Sequence, residues 1–132
     1  MGHPNEQLVH NFFKAFATGD MELLGSITTD DLTMVEPGTT HVAGIFKGRD
    51  AVLAMFGELG RVTEGTLTID KVNHILANDE VGIAVFDCSA TRHGERISAQ
   101  VNELYTFRDG KIAEIKAFVF DMPEWDRAYR KD

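Results

Sequence analysis

Two glutamates stand in sequence patterns that would place a proton donor and a proton acceptor on apolar walls. Side chains alternate between the faces of a strand, so counting by twos decides which residues share a surface. Over Arg96–Arg108, Ala99, Val101, Glu103, Tyr105 and Phe107 lie on one face, and Gln100, Asn102, Leu104 and Thr106 on the other. Glu103 is the one acid in that first row, and Tyr105 adds a hydroxyl two residues on. Leu32, Met34 and Glu36 share a side of the stretch that Pro37-Gly38 ends. Asp121 falls in step with Ile115, Ala117 and Val119. Burying a carboxyl without a countercharge disfavours its ionised form and raises its pKa, which suits it to give or take protons near neutrality. Glu36 and Glu103 are therefore the candidate acid–base pair. The competing readings are a solvated or paired Glu36, with Arg49 or Lys47 as partner, and an Asp121 that caps a helix starting at Met122.

Other rows supply the walls. Ala84, Phe86, Cys88 and Ala90 alternate with Val85, Asp87, Ser89 and Thr91. If the inner rows line the concave side of a curved sheet, the cavity is apolar, and small residues such as Ala84, Ala99 and Ala117 leave room in it. Phe12, Phe16, Met34, Phe56, Phe86, Cys88, Val101 and Ala117 are the expected lining.

The elements that position these residues follow from periodicity and punctuation. From Asn5 to Thr18, Leu8, Val9, Phe12, Phe13 and Phe16 recur at helical spacing, with Asn5 as cap and Gly19 as stop. Asp20 caps a second, shorter helix. Arg49 opens a third, which carries Val52, Phe56 and Leu59 and ends near Gly60. Strands are expected at Thr66–Leu76, Val81–Thr91, Arg96–Arg108 and Lys111–Phe120, separated by Asn78-Asp79, His93-Gly94 and Asp109-Gly110. Helices first and hairpin-linked strands after is the α+β pattern, an antiparallel sheet with helices gathered on one face. The tail from Met122, with Trp125 and Tyr129, reads as a short polar segment able to dock on the sheet or on a second subunit.

Composition narrows the functional classes. The 132 residues fit one folding unit, 1–132, and 43% hydrophobic with 26% charged residues is a globular mix. Thirteen basic against 21 acidic residues leave a net charge of −8, which disfavours nucleic acid and anionic membrane as partners. No apolar run approaches a membrane span and no leader pattern opens the chain, so a cytoplasmic location is expected. Cys88 is the one cysteine and reads as a buried thiol. His10, His74 and His93 share no ligand spacing, so no metal is expected. His41, in the loop after Pro37-Gly38, is a candidate gate or a solvated histidine.

In this order, the motifs resemble the nuclear-transport-factor-2-like superfamily, and within it ketosteroid isomerase and the polyketide-cyclase-like (SnoaL-like) proteins. They are Ala17-Thr-Gly-Asp20, Thr29-Asp-Asp-Leu-Thr-Met-Val-Glu-Pro-Gly38 and Ala43-Gly-Ile-Phe-Lys-Gly-Arg-Asp-Ala51. Leu76-Ala-Asn-Asp79, Ala90-Thr-Arg-His-Gly94 and Phe107-Arg-Asp-Gly-Lys-Ile-Ala-Glu114 follow. The resemblance implies a cone-shaped α+β fold, a strongly curved antiparallel or mixed sheet whose concave face the N-terminal helices cover around an apolar pocket. Its general-base Asp, just before a proline, matches Glu36; its oxyanion-hole acid, nine residues after a hairpin glycine, matches Glu103. Its oxyanion-hole Tyr, eight residues before the Asp that opens the second helix, matches Phe12, which has no hydroxyl. Tyr105 is the substitute hydroxyl. The cyclase-like relatives' Asp near the end of the last strand matches Asp121.

Both matched acids are Glu where the isomerase has Asp. An extra methylene displaces a carboxyl enough to spoil an aligned proton transfer, so strict steroid isomerisation is not expected. The resemblance implies a small, largely apolar carbonyl-bearing ligand, with cofactor-free isomerisation or aldol-type cyclisation as the enzymatic reading. A ligand-binding or assembly module is the alternative. A homodimer is expected through the convex face, where Val85, Leu104, Phe118 and Phe120 form apolar rows.

Overall fold

The computed structural model describes residues 2–130. Helix α1 (Pro4–Thr18) buries Val9, Phe12, Phe13 and Ala15, one face of the predicted spacing. Its cap is His3 and not Asn5: the Asn5 N–H donates to His3 Nδ1 at 3.1 Å, and Pro4 takes the first turn, where no N–H is needed. Gly19 ends α1 in the left-handed region, and Asp20 caps α2 (Met21–Ile27) by accepting from the Leu23 N–H at 3.0 Å.

Strand β1 (Thr28–Glu36) starts directly at the end of α2 and buries Leu32, Met34 and Glu36 on alternate positions. It pairs antiparallel with β2 (Gly44–Lys47), a four-residue edge strand that is largely exposed and so offers counting by twos no signal. Helix α3 (Arg49–Val62) runs past Gly60, and the chain turns instead at Glu64 and Gly65, both at positive φ.

Strands β3 (Thr68–Ala77), β4 (Val81–Arg92), β5 (Glu95–Arg108) and β6 (Lys111–Val119) form the antiparallel part of the sheet. His93-Gly94 and Asp109-Gly110 supply consecutive left-handed residues, which matches a mirror-type hairpin turn to the strand twist. The six strands run β2-β1-β6-β5-β4-β3, curved and unclosed, with β1 and β6 parallel. Thus the sheet is mixed, and the fold is α+β with a cystatin-like curvature.

The core lies between the helices and the inner rows Ala84-Phe86-Cys88 and Val101-Tyr105-Ile115. The inner row of β5 breaks at a register shift between Thr106 and Phe107. Gly82 on β4, opposite Tyr105, leaves space for the displaced ring: a Cβ there would stand 2.9 Å from Phe107 Cζ. On the outer face, Phe118 is 51% and Phe120 79% exposed, beside half-buried Val85 and Leu104.

The tail is a helix, α4 (Met122–Tyr129), docked on the chain's own sheet with Trp125, Ala128 and Tyr129 buried. Side-chain hydrogen bonds help to hold it. Asp126 accepts from the Thr39 N–H at 3.0 Å and the Thr39 hydroxyl at 3.1 Å, close to Gly38, whose φ of +115° suits only glycine. Arg92 donates to the carbonyls of Ala128 and Arg130 at 2.9 and 2.5 Å. The α4 cap is Asp121, which accepts from the Glu124 N–H at 3.1 Å.

Arg49 ties α3 to the α2–β1 junction. Its guanidinium donates to Thr28 Oγ1 at 3.0 Å, the Thr28 carbonyl at 2.6 Å and the Gly25 carbonyl at 3.0 Å, and it pairs with exposed Asp30. Arg49→Ala is expected to lower unfolding free energy by about 2–3 kcal/mol in urea melts, because charged hydrogen bonds to partly buried acceptors are lost. Arg49→Lys should recover less than half of that, since an ammonium lacks the planar fork. A loss below about 0.5 kcal/mol for Arg49→Ala would show that the junction holds without this side chain.

Candidate functional site

Glu36 and Glu103 face one cavity. Glu36 is the last residue of β1, and the sheet's alternation turns it inward with Met34; Glu103 lies mid-way along β5, paired with Ala84 and Ala117. They are 5% and 6% exposed, and both line an apolar cavity of about 50 Å³. Of the expected lining, Phe12, Phe16, Met34, Phe56, Phe86, Cys88 and Val101 are in the wall. Ala117 is buried behind it, in the ladder beside Glu103.

The two acids differ in their partners. Tyr105, completely buried, donates its hydroxyl to Glu103 Oε1 at 2.7 Å. Glu36 makes no hydrogen bond or ion pair with any described residue, and Arg49 is engaged elsewhere. Burial raises both carboxyls. Glu103 is pushed up to about 7, with the Tyr105 hydroxyl opposing the shift because it stabilises the anion. Glu36 is raised well above its ordinary value of 4.5 by burial and by the negative charge of Glu103. When the pair carries a single proton, the phenol favours the charge on Glu103, which leaves that proton to Glu36, where no such donor stands. This inverts the roles that sequence matching suggests, in which Glu36 is the base.

The other two catalytic candidates, Asp121 and Tyr105, fall outside the cavity lining. Asp121 is exposed and caps α4, which is the competing reading of that position. Tyr105 acts on Glu103 and lies behind it, with its ring 5.9 Å from that of Phe12. Burial pushes the Cys88 thiol up to about 12, so it stays protonated in the wall. His41 bonds Glu58 at 2.8 Å and is not part of the lining. Among the described residues, no three His, Cys, Asp or Glu side chains form a metal-binding group.

Counting by twos misses part of the wall: Phe13, Leu59, Leu67, Ile69 and Trp125 also line the cavity. Sequence reading takes Trp125 only as one aromatic of a short polar tail; the signal that points to its burial is a spacing of three and four residues to Ala128 and Tyr129. At about 50 Å³ the cavity holds a few waters or a compact small molecule. Phe16, Phe56 and Leu67 border both it and a surface hollow of about 300 Å³, lined further by Met21, Leu24 and Leu53. The Phe16 and Phe56 rings meet edge to face at 5.4 Å, and both are only half-buried, so this is the thinnest side of the enclosure.

Comparison with known proteins gives the family. Residues 9–115 match the SnoaL-like domain, and the chain belongs to that family. The uncharacterized protein Rv0034 of Mycobacterium tuberculosis is 32% identical over 114 residues, covering 86% of this chain and 87% of the relative. Among solved structures, Bal32a, from a soil-derived mobile gene cassette, superposes with a TM-score of 0.91 at 29% identity, covering 96% of this chain and 97% of that one. An NTF2-like protein from Burkholderia xenovorans gives 0.83 at 20% identity, over 98% of each chain. TerC, co-crystallized with polyporic acid, gives 0.84 at 16%, covering 96% and 98%. These last two likenesses speak for the fold alone.

The raised carboxyls make stability depend on pH in a defined direction. Unfolded, both acids titrate near 4.5; folded, Glu103 holds its proton to about 7 and Glu36 is likewise raised well above 4.5. Between those values the native state binds more protons than the unfolded chain, so stability falls as pH rises from 4.5 towards 7. Glu58, held down to about 2 by Arg61 and His41, acts only below that window. Urea midpoints over the window should decline in the wild type and decline less in Glu103→Gln. Tyr105→Phe should move the Glu103 titration upward when followed by carboxyl infrared bands; an unmoved or lowered value would show that the hydroxyl does not stabilise the anion.

Proposed function

We propose that this protein binds a small, largely apolar, carbonyl-bearing molecule in the cavity and moves a proton on the carbon beside the carbonyl. Isomerisation and aldol-type cyclisation are the reaction classes that such a step serves. The observation that carries the reading is two carboxyls in one apolar cavity, only one of them hydrogen-bonded by a phenol. In the proposed step the Glu103 carboxylate takes the α-proton. Protonated Glu36 donates a hydrogen bond to the carbonyl oxygen, where negative charge develops, and Glu103 returns its proton to the new site. Tyr105 positions Glu103 and keeps part of its population ionised at neutral pH.

A second reading is supported by Phe12. The isomerase resemblance asks for a hydroxyl there, and its absence leaves a cavity suited to binding without turnover. The two readings part on one reaction, the exchange of α-hydrogens of cyclohexanone for deuterium in heavy water. Catalysed exchange is expected to rise as pH passes through about 7, where Glu103 loses its proton. Glu103→Gln should lower it by about 10²–10⁴-fold, the usual worth of a positioned base. Glu36→Gln, which keeps an amide donor, should cost about tenfold. Exchange no faster with the wild type than with Glu103→Gln would leave only the binding reading.

We further propose a homodimer through the outer face, where exposed Phe118 and Phe120 adjoin Leu104 and Val85. A single buried thiol suits the reducing cytoplasm, where we place the protein. Sedimentation should give a dimer, and Phe118→Lys should shift it to monomer; a wild-type monomer at high concentration would contradict the interface.

A further inference from the structure

The cavity wall holds a polar group that the two acids leave unused. Trp125 is 6% exposed, lines the cavity with Glu36 and Glu103, and its indole nitrogen is buried without a hydrogen-bond partner. An indole nitrogen can only donate. Nearly all buried donors are satisfied, and a phenylalanine in the same place would carry no such cost, so the exception requires an explanation. The ring is not on a loose tail. Its helix is fixed through Asp126 to Thr39 and through Arg92 to the Ala128 and Arg130 carbonyls, and the indole packs on Tyr129 at 4.7 Å.

We infer that Trp125 Nε1–H is a ligand-binding donor of this cavity, giving its hydrogen bond to the oxygen of the bound carbonyl compound. It fills the part for which Phe12 has no hydroxyl, and it shares the ligand oxygen with protonated Glu36. The inference rests on the acid–base reading of the cavity. It also narrows the ligand class, to molecules with one acceptor oxygen at one end and an apolar remainder. A hydrocarbon of the same shape leaves the N–H unpaired and forfeits the discrimination. A further space adjoins the ring, a void of about 10 Å³ beside Ser89 and Ser98. That is on the order of one water position, and a water there is the competing partner.

The chain has one tryptophan, so isotope-labelled protein gives a single indole N–H resonance. Cyclohexanone should move it downfield in a saturable way, whereas methylenecyclohexane, its hydrocarbon counterpart, should not. Trp125→Phe, checked for an unchanged circular dichroism spectrum, should cut the preference for ketone over alkene by about five- to tenfold. Alkene affinity should stay within about twofold. An indole resonance that ignores the ketone while α-exchange is catalysed would overturn the Trp125 assignment and leave the acid–base reading standing. A resonance that responds while exchange is not catalysed would do the reverse. Absence of saturable cyclohexanone binding would overturn both.

Discussion

The site depends on one hydrogen bond in an apolar enclosure, from the Tyr105 hydroxyl to Glu103 Oε1 at 2.7 Å. Desolvation alone would treat the two glutamates alike and hold protons on both. A donor on one and none on the other breaks that symmetry. The anion is favoured on Glu103, and its charge in turn helps to hold the proton on Glu36. Two like side chains thus acquire unlike chemistry from their surroundings, which is the general way in which one cavity presents an acid and a base at the same pH.

Much of the fold serves to keep that enclosure closed. The sheet's curvature brings the end of β1 and the middle of β5 onto one concave wall, although β6 lies between them. Phenylalanines from α1 and α3 cover the wall, interlocked edge to face: Phe12 with Phe13, Phe12 with Phe56, and Phe16 with Phe56. At the other end α4 closes over β5, and it is fastened to the turn that follows Glu36 through Asp126 and Thr39. The same turn therefore ends the strand that carries one acid and anchors the helix that carries Trp125. Replacing Gly38 would strain that turn and crowd Asp126 together.

The sequence made the inner rows legible because alternation is a local property. Ala84, Phe86 and Cys88 on β4, and Val101, Glu103 and Tyr105 on β5, all face inward as counting by twos predicts. Asp20 and Gly19 were readable for the same reason, since a cap and a stop act within a few residues. Where tertiary packing decides, local pattern falls short. β2 is too short and too exposed to show a period, and Phe107 leaves its row at a bulge where Gly82 leaves room for the ring. Asp121 keeps step with its strand on paper, but the strand ends at Val119 and the carboxylate turns to cap α4. The proton order of Glu36 and Glu103 was equally out of reach, because it depends on which acid the phenol touches.

All that is proposed for the cavity turns on the pair carrying one proton near neutrality, retained by Glu36. Site-resolved carboxyl NMR of the isotope-labelled protein across pH, with each glutamate assigned by its Gln variant, tests this most directly. Glu103 should titrate at about 7, and Glu36 should stay protonated well beyond its ordinary 4.5. Both carboxyls titrating near 4.5, or Glu36 ionising before Glu103, would contradict it.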